Sequence, residues 1–141
     1  DYTILSGEIR IGNYVHIAAF CALFGKGGII MKDFSGLSSR VTIYSASDDY
    51  SGEFLTNPTV PSSYTNIKEG EVILERHVII GATSVILPSV VIKEGTAVGS
   101  MSLVTKSLPN WHICAGTPAV PIKQRYKNLL ELEKELKYNN G

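Results

Sequence analysis

At 141 residues and 44% hydrophobic composition, the chain is long and apolar enough to bury one real core, which excludes a disordered tail and a stapled mini-protein. Thirteen Lys and Arg balance thirteen Asp and Glu, so nothing in the charge favours nucleic acid, an anionic membrane surface or a polyacidic partner. A small molecule is the expected ligand. No apolar run approaches the roughly 18 residues of a membrane span, and no signal-peptide pattern opens the chain. Cys21 and Cys114 are too few for a disulfide framework and lack metal-ligand spacing, so they read as small buried hydrophobes of a reducing, cytoplasmic compartment, with no metal. The chain opens on Asp1 without an initiator Met, which leaves room for further repeats before it.

From the amino terminus, Leu5, Ile11, Ile17, Leu23 and Ile29 fall six residues apart. Two residues earlier lies a second inward position, held by Ile9, Val15 and Cys21. Met31, Leu37 and Ile43 keep the spacing from an origin displaced by two, which predicts a bulge near Lys32 and Asp33. Residues 44–71 carry no hexad and are rich in Ser, Asp, Thr, Pro and Tyr. They are expected to form an ordered, functional loop thrown from one corner, because long structureless insertions in compact domains are uncommon. The period resumes at Leu74, Ile80, Ile86, Ile92, Val98 and Val104, with Val72, Val78, Ser84, Val90, Thr96 and Ser102 two places before. Residues 109–118 then leave the coil, and 122–141 are predicted to be helical, with Ile122, Tyr126, Leu129, Leu130 and Leu136 as an apolar stripe and Glu133 and Lys137 facing out.

A period of six fits neither the 3.6-residue helix nor the two-residue alternation of a strand. It fits a short strand with two inward residues, a corner, and repetition. Residues 1–121 are therefore predicted to be all-β, a three-sided parallel solenoid interrupted at 44–71 and closed by a C-terminal helix. Gly12, Gly36, Gly81 and Gly99 read as corner residues, placed where a side chain would crowd or where φ is positive.

The hexads, the corner loop, the stretch Val98-Gly-Ser-Met-Ser-Leu-Val-Thr-Lys106 and the ending Ala115-Gly-Thr-Pro-Ala-Val-Pro-Ile-Lys123 resemble the hexapeptide-repeat acyltransferases, nearest to the galactoside and maltose O-acetyltransferase branch. The resemblance implies a left-handed β-helix and a homotrimer with acetyl-CoA, the only co-substrate, in the groove between subunits. It implies acetyl transfer to a hydroxyl or amino group of a sugar or nucleotide-sugar, as in polysaccharide or O-antigen modification. It further implies that backbone at Gly81, Ala82 and Ser100 holds the pantetheine arm, that Thr105 and Lys106 meet the phosphates, and that Lys123, helped by Arg125, adds positive charge near the adenosine.

In that branch a histidine stands in the corner loop in a Thr-Gly-His-Pro context, but counting along Val41–Asp49 puts Asp48 in its slot. A carboxylate of pKa about 4 is a weaker base than an imidazole of about 6.5, so Asp48 would need burial or the like charge of Asp49 to serve. His16 offers another solution. It lies outward in the hexad before Ile17, where the sugar O-acetyltransferases carry a tyrosine. His16 is accordingly the expected general base, with Asp48 or Asp49, from this chain or a neighbouring subunit, orienting it or binding the acceptor. Two rivals remain: a non-catalytic scaffold or coenzyme A binder, which the missing loop histidine would explain, and a zinc enzyme of the same fold, which would have to gather His16, His77 and His112.

Overall fold

The structure is a computed structural model and describes residues 2–140. The first coil carries β1 (Ile4–Ile11) and β2 (His16–Ile17), the second β3 (Ala22–Met31) and β4 (Gly36–Leu37). After β5 (Thr42–Tyr44) the chain leaves the coil as β6 (Ala46–Ser47), a 3-10 turn at Ser62–Tyr64 and β7 (Lys68–Glu69), then returns as β8 (Val72–Leu74) and β9 (Ile79–Ile80). The next rungs are β10 (Val85–Ile86), β11 (Val91–Ile92), β12 (Ala97–Val98), β13 (Leu103–Val104) and β14 (His112–Gly116); β15 (Ala119–Gln124) and helix α1 (Leu129–Asn140) follow. The fold is a parallel β-solenoid, as the hexads require.

Register ties each face to the repeat. Leu5, Leu23, Ile43, Ile86 and Val104 pair in succession on the first face. Ile11, Met31, Leu74, Ile92 and Leu108 do so on the second. Ile17, Leu37, Ile80, Val98 and Cys114 form the third. From the second coil onward these side chains are buried, whereas Leu5 and Ile11 stay exposed at the open first coil. Each fully buried aliphatic contributes roughly 1.5–3 kcal/mol, so the core is a column of equal increments. The smaller inward position tolerates hydroxyls because the corners supply acceptors: Ser35 Oγ donates to Lys32 O at 2.7 Å, Ser102 Oγ to Gly99 O at 2.7 Å and Ser84 Oγ to Gly99 O at 3.1 Å.

The corners differ from the glycine expectation. Positive φ falls on the residue just before each small inward position, and that residue is mostly not glycine: Tyr14, Phe20, Phe34, Arg40, His77, Thr83, Ser89 and Met101 lie between +56° and +66°. Gly81 is needed for the other reason, close approach. A Cβ there would stand 2.4 Å from Ser100 N in the next coil.

Two boundaries are corrected. The register slip lies before Ile29, not at Lys32 and Asp33: between positions paired to Gly7 and Ile9, β3 inserts Lys26, Gly27 and Gly28 where β1 has one residue. Gly28 takes φ +96° and a Cβ on Gly27 would meet Ser45 O at 2.3 Å, so the glycines were the signal. The terminal helix starts at Leu129, not at 122. β14 is an edge strand with a free row of backbone groups, and residues 119–124 satisfy them as an antiparallel partner, pairing Ile113 with Lys123 and Cys114 with Pro121. Ile122 therefore belongs to β15 and is exposed, and Tyr126 precedes the helix, also exposed. Gly141 lies outside the described residues.

Candidate active site

On the outer surface of the third face, His16 of β2 stands beside Gly36 of β4, which stands beside Ile79 of β9. His16 is exposed, and because Gly36 carries no side chain the imidazole has open space toward the next rung. Helix α1 lies across this face, and between them is a cavity of about 680 Å³ bordered by His16, Ser38 and Ser39 on the solenoid and by Leu129, Leu132 and Leu136 on the helix.

The helix is fixed by one carboxylate. Glu133 accepts from Lys137 Nζ at 3.1 Å and from Arg76 and the ring Nε2 of His77. Burial alone would raise its pKa, but hydrogen bonds from Lys137, His77 and Arg76 outweigh this and hold it down at about 2. Glu133 thus points at the solenoid, contrary to the outward orientation expected for it. Its side chain is 11% exposed. His77 is also buried. It stacks on Phe34 at 4.9 Å, Phe34 stacks on Tyr14 at 4.9 Å, and Trp111 lies tilted on its other side at 6.3 Å. Arg125, assigned from sequence to the adenosine end of the ligand, donates through Nη1 to His77 O at 2.9 Å and Gly95 O at 3.0 Å, knitting the corner to the chain that leads into α1.

The loop carboxylates sit elsewhere in the chain. Asp49 is buried and accepts from Ser51 N at 2.7 Å and Asn66 Nδ2 at 2.9 Å, with Lys68 Nζ at 3.6 Å. The contacts from Ser51 and Asn66, with the Lys68 charge, lower its pKa to about 2. That is the reverse of the raised pKa a carboxylate base needs at neutral pH. Asp48 accepts from Asn57 N at 3.2 Å, inside the same loop. Among the described residues no hydrogen bond or ion pair links His16 to either aspartate within one chain.

Gly81, Ala82 and Ser100 do share a corner: Gly81 N donates to Val98 O at 2.7 Å, and Met101 N to Ala82 O at 2.8 Å. Thr105 and Lys106 follow β13 and are exposed. Lys123, on β15, borders a second cavity of about 650 Å³ with Gln124, Arg125 and Tyr126. Among the described residues no group of three or more His, Cys, Asp and Glu is placed to hold a metal ion. None of the described helices is long and apolar enough to cross a membrane. Sequence reasoning passed over Ser38 and Ser39; their position straight after inward Leu37, at a corner beside the His16 face, was the available signal.

A hexapeptide solenoid with an imidazole in an outward groove and a glycine-tight corner defines a class of acyl-transfer scaffold, and comparison with known proteins agrees. No protein-family model matches the chain. It is 44% identical over 140 residues to an Escherichia coli dTDP-4-amino-4,6-dideoxy-D-glucose acyltransferase, covering 97% of this chain and 73% of that protein. The Bacillus cereus N-acyltransferase AntD, solved with dTDP and 3-hydroxybutyryl-CoA, is 53% identical with a TM-score of 0.96, over 100% of this chain and 76% of that one. AntD has also been solved as variants of a serine and of an aspartate ten positions apart in its own chain. A Clostridium difficile maltose O-acetyltransferase shares the fold, at 24% identity and a TM-score of 0.72 over 84% of this chain and 60% of that one. The chain belongs to the hexapeptide-repeat acyltransferase family and is an acyltransferase.

Proposed function

We propose that the protein transfers the acyl group of an acyl-CoA to the amino nitrogen of a nucleotide-linked amino sugar. The observation that carries this reading is the 53% identity, across the whole chain, to an N-acyltransferase solved with dTDP and an acyl-CoA. The 24% likeness to a maltose O-acetyltransferase supports the fold and leaves hydroxyl acceptors the weaker reading.

The neutral amine attacks the thioester carbonyl carbon, a base takes the nitrogen's proton, the C–S bond breaks, and the base returns that proton to the departing sulfur so that coenzyme A leaves as the thiol. His16 is that base in this reading, because it is exposed on the cavity wall and its ring nitrogen can accept a proton. The loop carboxylates are acceptor-binding groups. Ser38 and Asp48, and Ser39 and Asp49, are the Ser and Asp pairs of this chain that stand ten residues apart, the spacing of the two altered AntD positions. Asp49, ionised at neutral pH, suits binding of an amine far better than removal of its proton. Since no hydrogen bond or ion pair among the described residues joins His16 to either aspartate within one chain, the reading calls on a second subunit to bring them together, as a homotrimer with coenzyme A between subunits would. Gly81, Ala82 and Ser100 then meet the pantetheine, and Thr105, Lys106, Lys123 and Arg125 the nucleotide end. Acyl-CoA and nucleotide-sugar supply make the cytoplasm the working compartment.

The test is an incubation with acetyl-CoA and dTDP-4-amino-4,6-dideoxyglucose, followed by thiol release and product mass. Release that needs the sugar, with the acetyl group on nitrogen, is expected. Equal turnover of the analogue bearing hydroxyl in place of the amine would move the assignment to O-acylation, and no release with either would refute the reading.

A further inference from the structure

We infer that the cavity between α1 and the third face receives the acyl group itself, and that Leu132 and Leu136 set which acyl chains are accepted. This rests on the acyl-CoA reading above and assigns its donor specificity to helix α1.

At about 680 Å³ the cavity falls within the roughly 300–1,000 Å³ of small-molecule sites. It is larger than an acetyl group needs. Its helix wall is Leu129, Leu132 and Leu136, and its floor includes Leu37 and Ile79. The His16, Ser38 and Ser39 side is where a thioester carbonyl or a hydroxyl near it would lie, and the other polar lining comes from Tyr14, Ser35, His77, Arg125 and Glu133. The electrostatics exclude the charged parts of both substrates. Arg125 is the one guanidinium or ammonium among the lining residues, and its Nη1 is engaged by the carbonyls of His77 and Gly95. Glu133 borders the same space as an ionised carboxylate, which repels a diphosphate. A polyol would leave hydroxyls unpaired against the leucines. An uncharged, mostly apolar chain ending near His16 fits the walls made by Leu37, Ile79, Leu129, Leu132 and Leu136.

Leu132 is 63% exposed on the helix, so enlarging it does not strain the core. The ratio of kcat/KM for butyryl-CoA to that for acetyl-CoA, at fixed amino sugar, is to be measured for the wild type, Leu132→Trp, Leu136→Trp and Leu132→Ala. Each tryptophan is expected to lower the ratio about tenfold or more, since a single methylene in an apolar pocket is already worth roughly tenfold or above. The alanine is expected to move the optimum to a longer chain such as hexanoyl. Unchanged ratios in all three variants overturn the inference while leaving acyl transfer intact. A rise in Kd for dTDP with unchanged acyl ratios would assign the cavity to the acceptor instead. A wild-type protein inert to every thioester would overturn the proposed function, and with it this inference.

Discussion

Alanine at Gly95 isolates what a solenoid corner demands. Gly95 has φ +73°, but His77, Thr83, Ser89 and Met101 hold nearly the same left-handed backbone at neighbouring corners without being glycine. Conformation alone therefore does not require glycine here. Space does, because a Cβ would lie 2.2 Å from Cδ2 and 2.3 Å from Cε3 of the buried Trp111 ring. A side chain in left-handed backbone costs about 1–2 kcal/mol. Forcing an atom into packed surroundings adds about 1–3 kcal/mol, so Gly95→Ala should cost about 2–5 kcal/mol in all. The assay is urea unfolding at one fixed protein concentration for Gly95→Ala, Trp111→Leu and the double variant. If the clash is the cause, replacing the indole by the smaller leucine side chain in Trp111→Leu should relieve it, giving a favourable coupling of about 1 kcal/mol or more. A Gly95→Ala variant within about 0.5 kcal/mol of wild type, or strict additivity in the double variant, would refute the reasoning.

His16→Ala should lower kcat by roughly 10²- to 10⁴-fold with little change in coenzyme A affinity, and should remove the rising limb of the pH–kcat/KM profile. Should Asp48→Asn abolish turnover while His16→Ala spares it, the base is the loop carboxylate. Lys106→Ala should raise KM for acyl-CoA far more than KM for the sugar, since a phosphate contact remote from the reacting carbon contributes uniform binding; equal effects would place Lys106 outside the donor site. Glu133 has a folded pKa depressed from 4.5 to about 2. Its contribution to helix docking is therefore complete above about pH 4.5 and lost as pH falls toward 2. Trp111 fluorescence should follow that loss, and Glu133→Gln should flatten the response in this window.

The stacked core was legible because the constraint on it is local and repeated. Every sixth residue from Leu74 to Val104 must face inward, and no other element type spaces aliphatics that way. The slip at Lys26–Gly28 was harder, since Ile29 fits the period of six from either side and only the glycines marked the extra residues. The span 119–124 was misread because what decides it is not in the span: the unpaired edge of β14 overrides any helical pattern. Of the candidate site, the outward place of His16 followed from register, whereas Gly81, Ala82 and Ser100 entered only through the resemblance to the acyltransferase family. Glu133 did not, because its partners Arg76 and His77 lie more than fifty residues away and spacing within a helix carries no trace of them. Asp49 was named, but its lowered pKa escaped for the same reason, being set by Ser51, Asn66 and Lys68 across a loop with no period.

Ser45 has a consequence beyond its own contacts. Fully buried where the corner loop leaves the solenoid, it donates through Oγ to Phe24 O at 2.6 Å, receives Gly27 N at 2.9 Å, and accepts Gly70 N on its carbonyl at 2.9 Å. Both legs of the excursion are welded at one residue to the coil beneath, whatever lies between them. An insertion joined in this way behaves as a cassette. Over evolutionary time its length and chemistry can be exchanged while the rungs above and below keep their register. Loop grafts between relatives should accordingly be cut at Ser45 and Gly70, where the seam already exists.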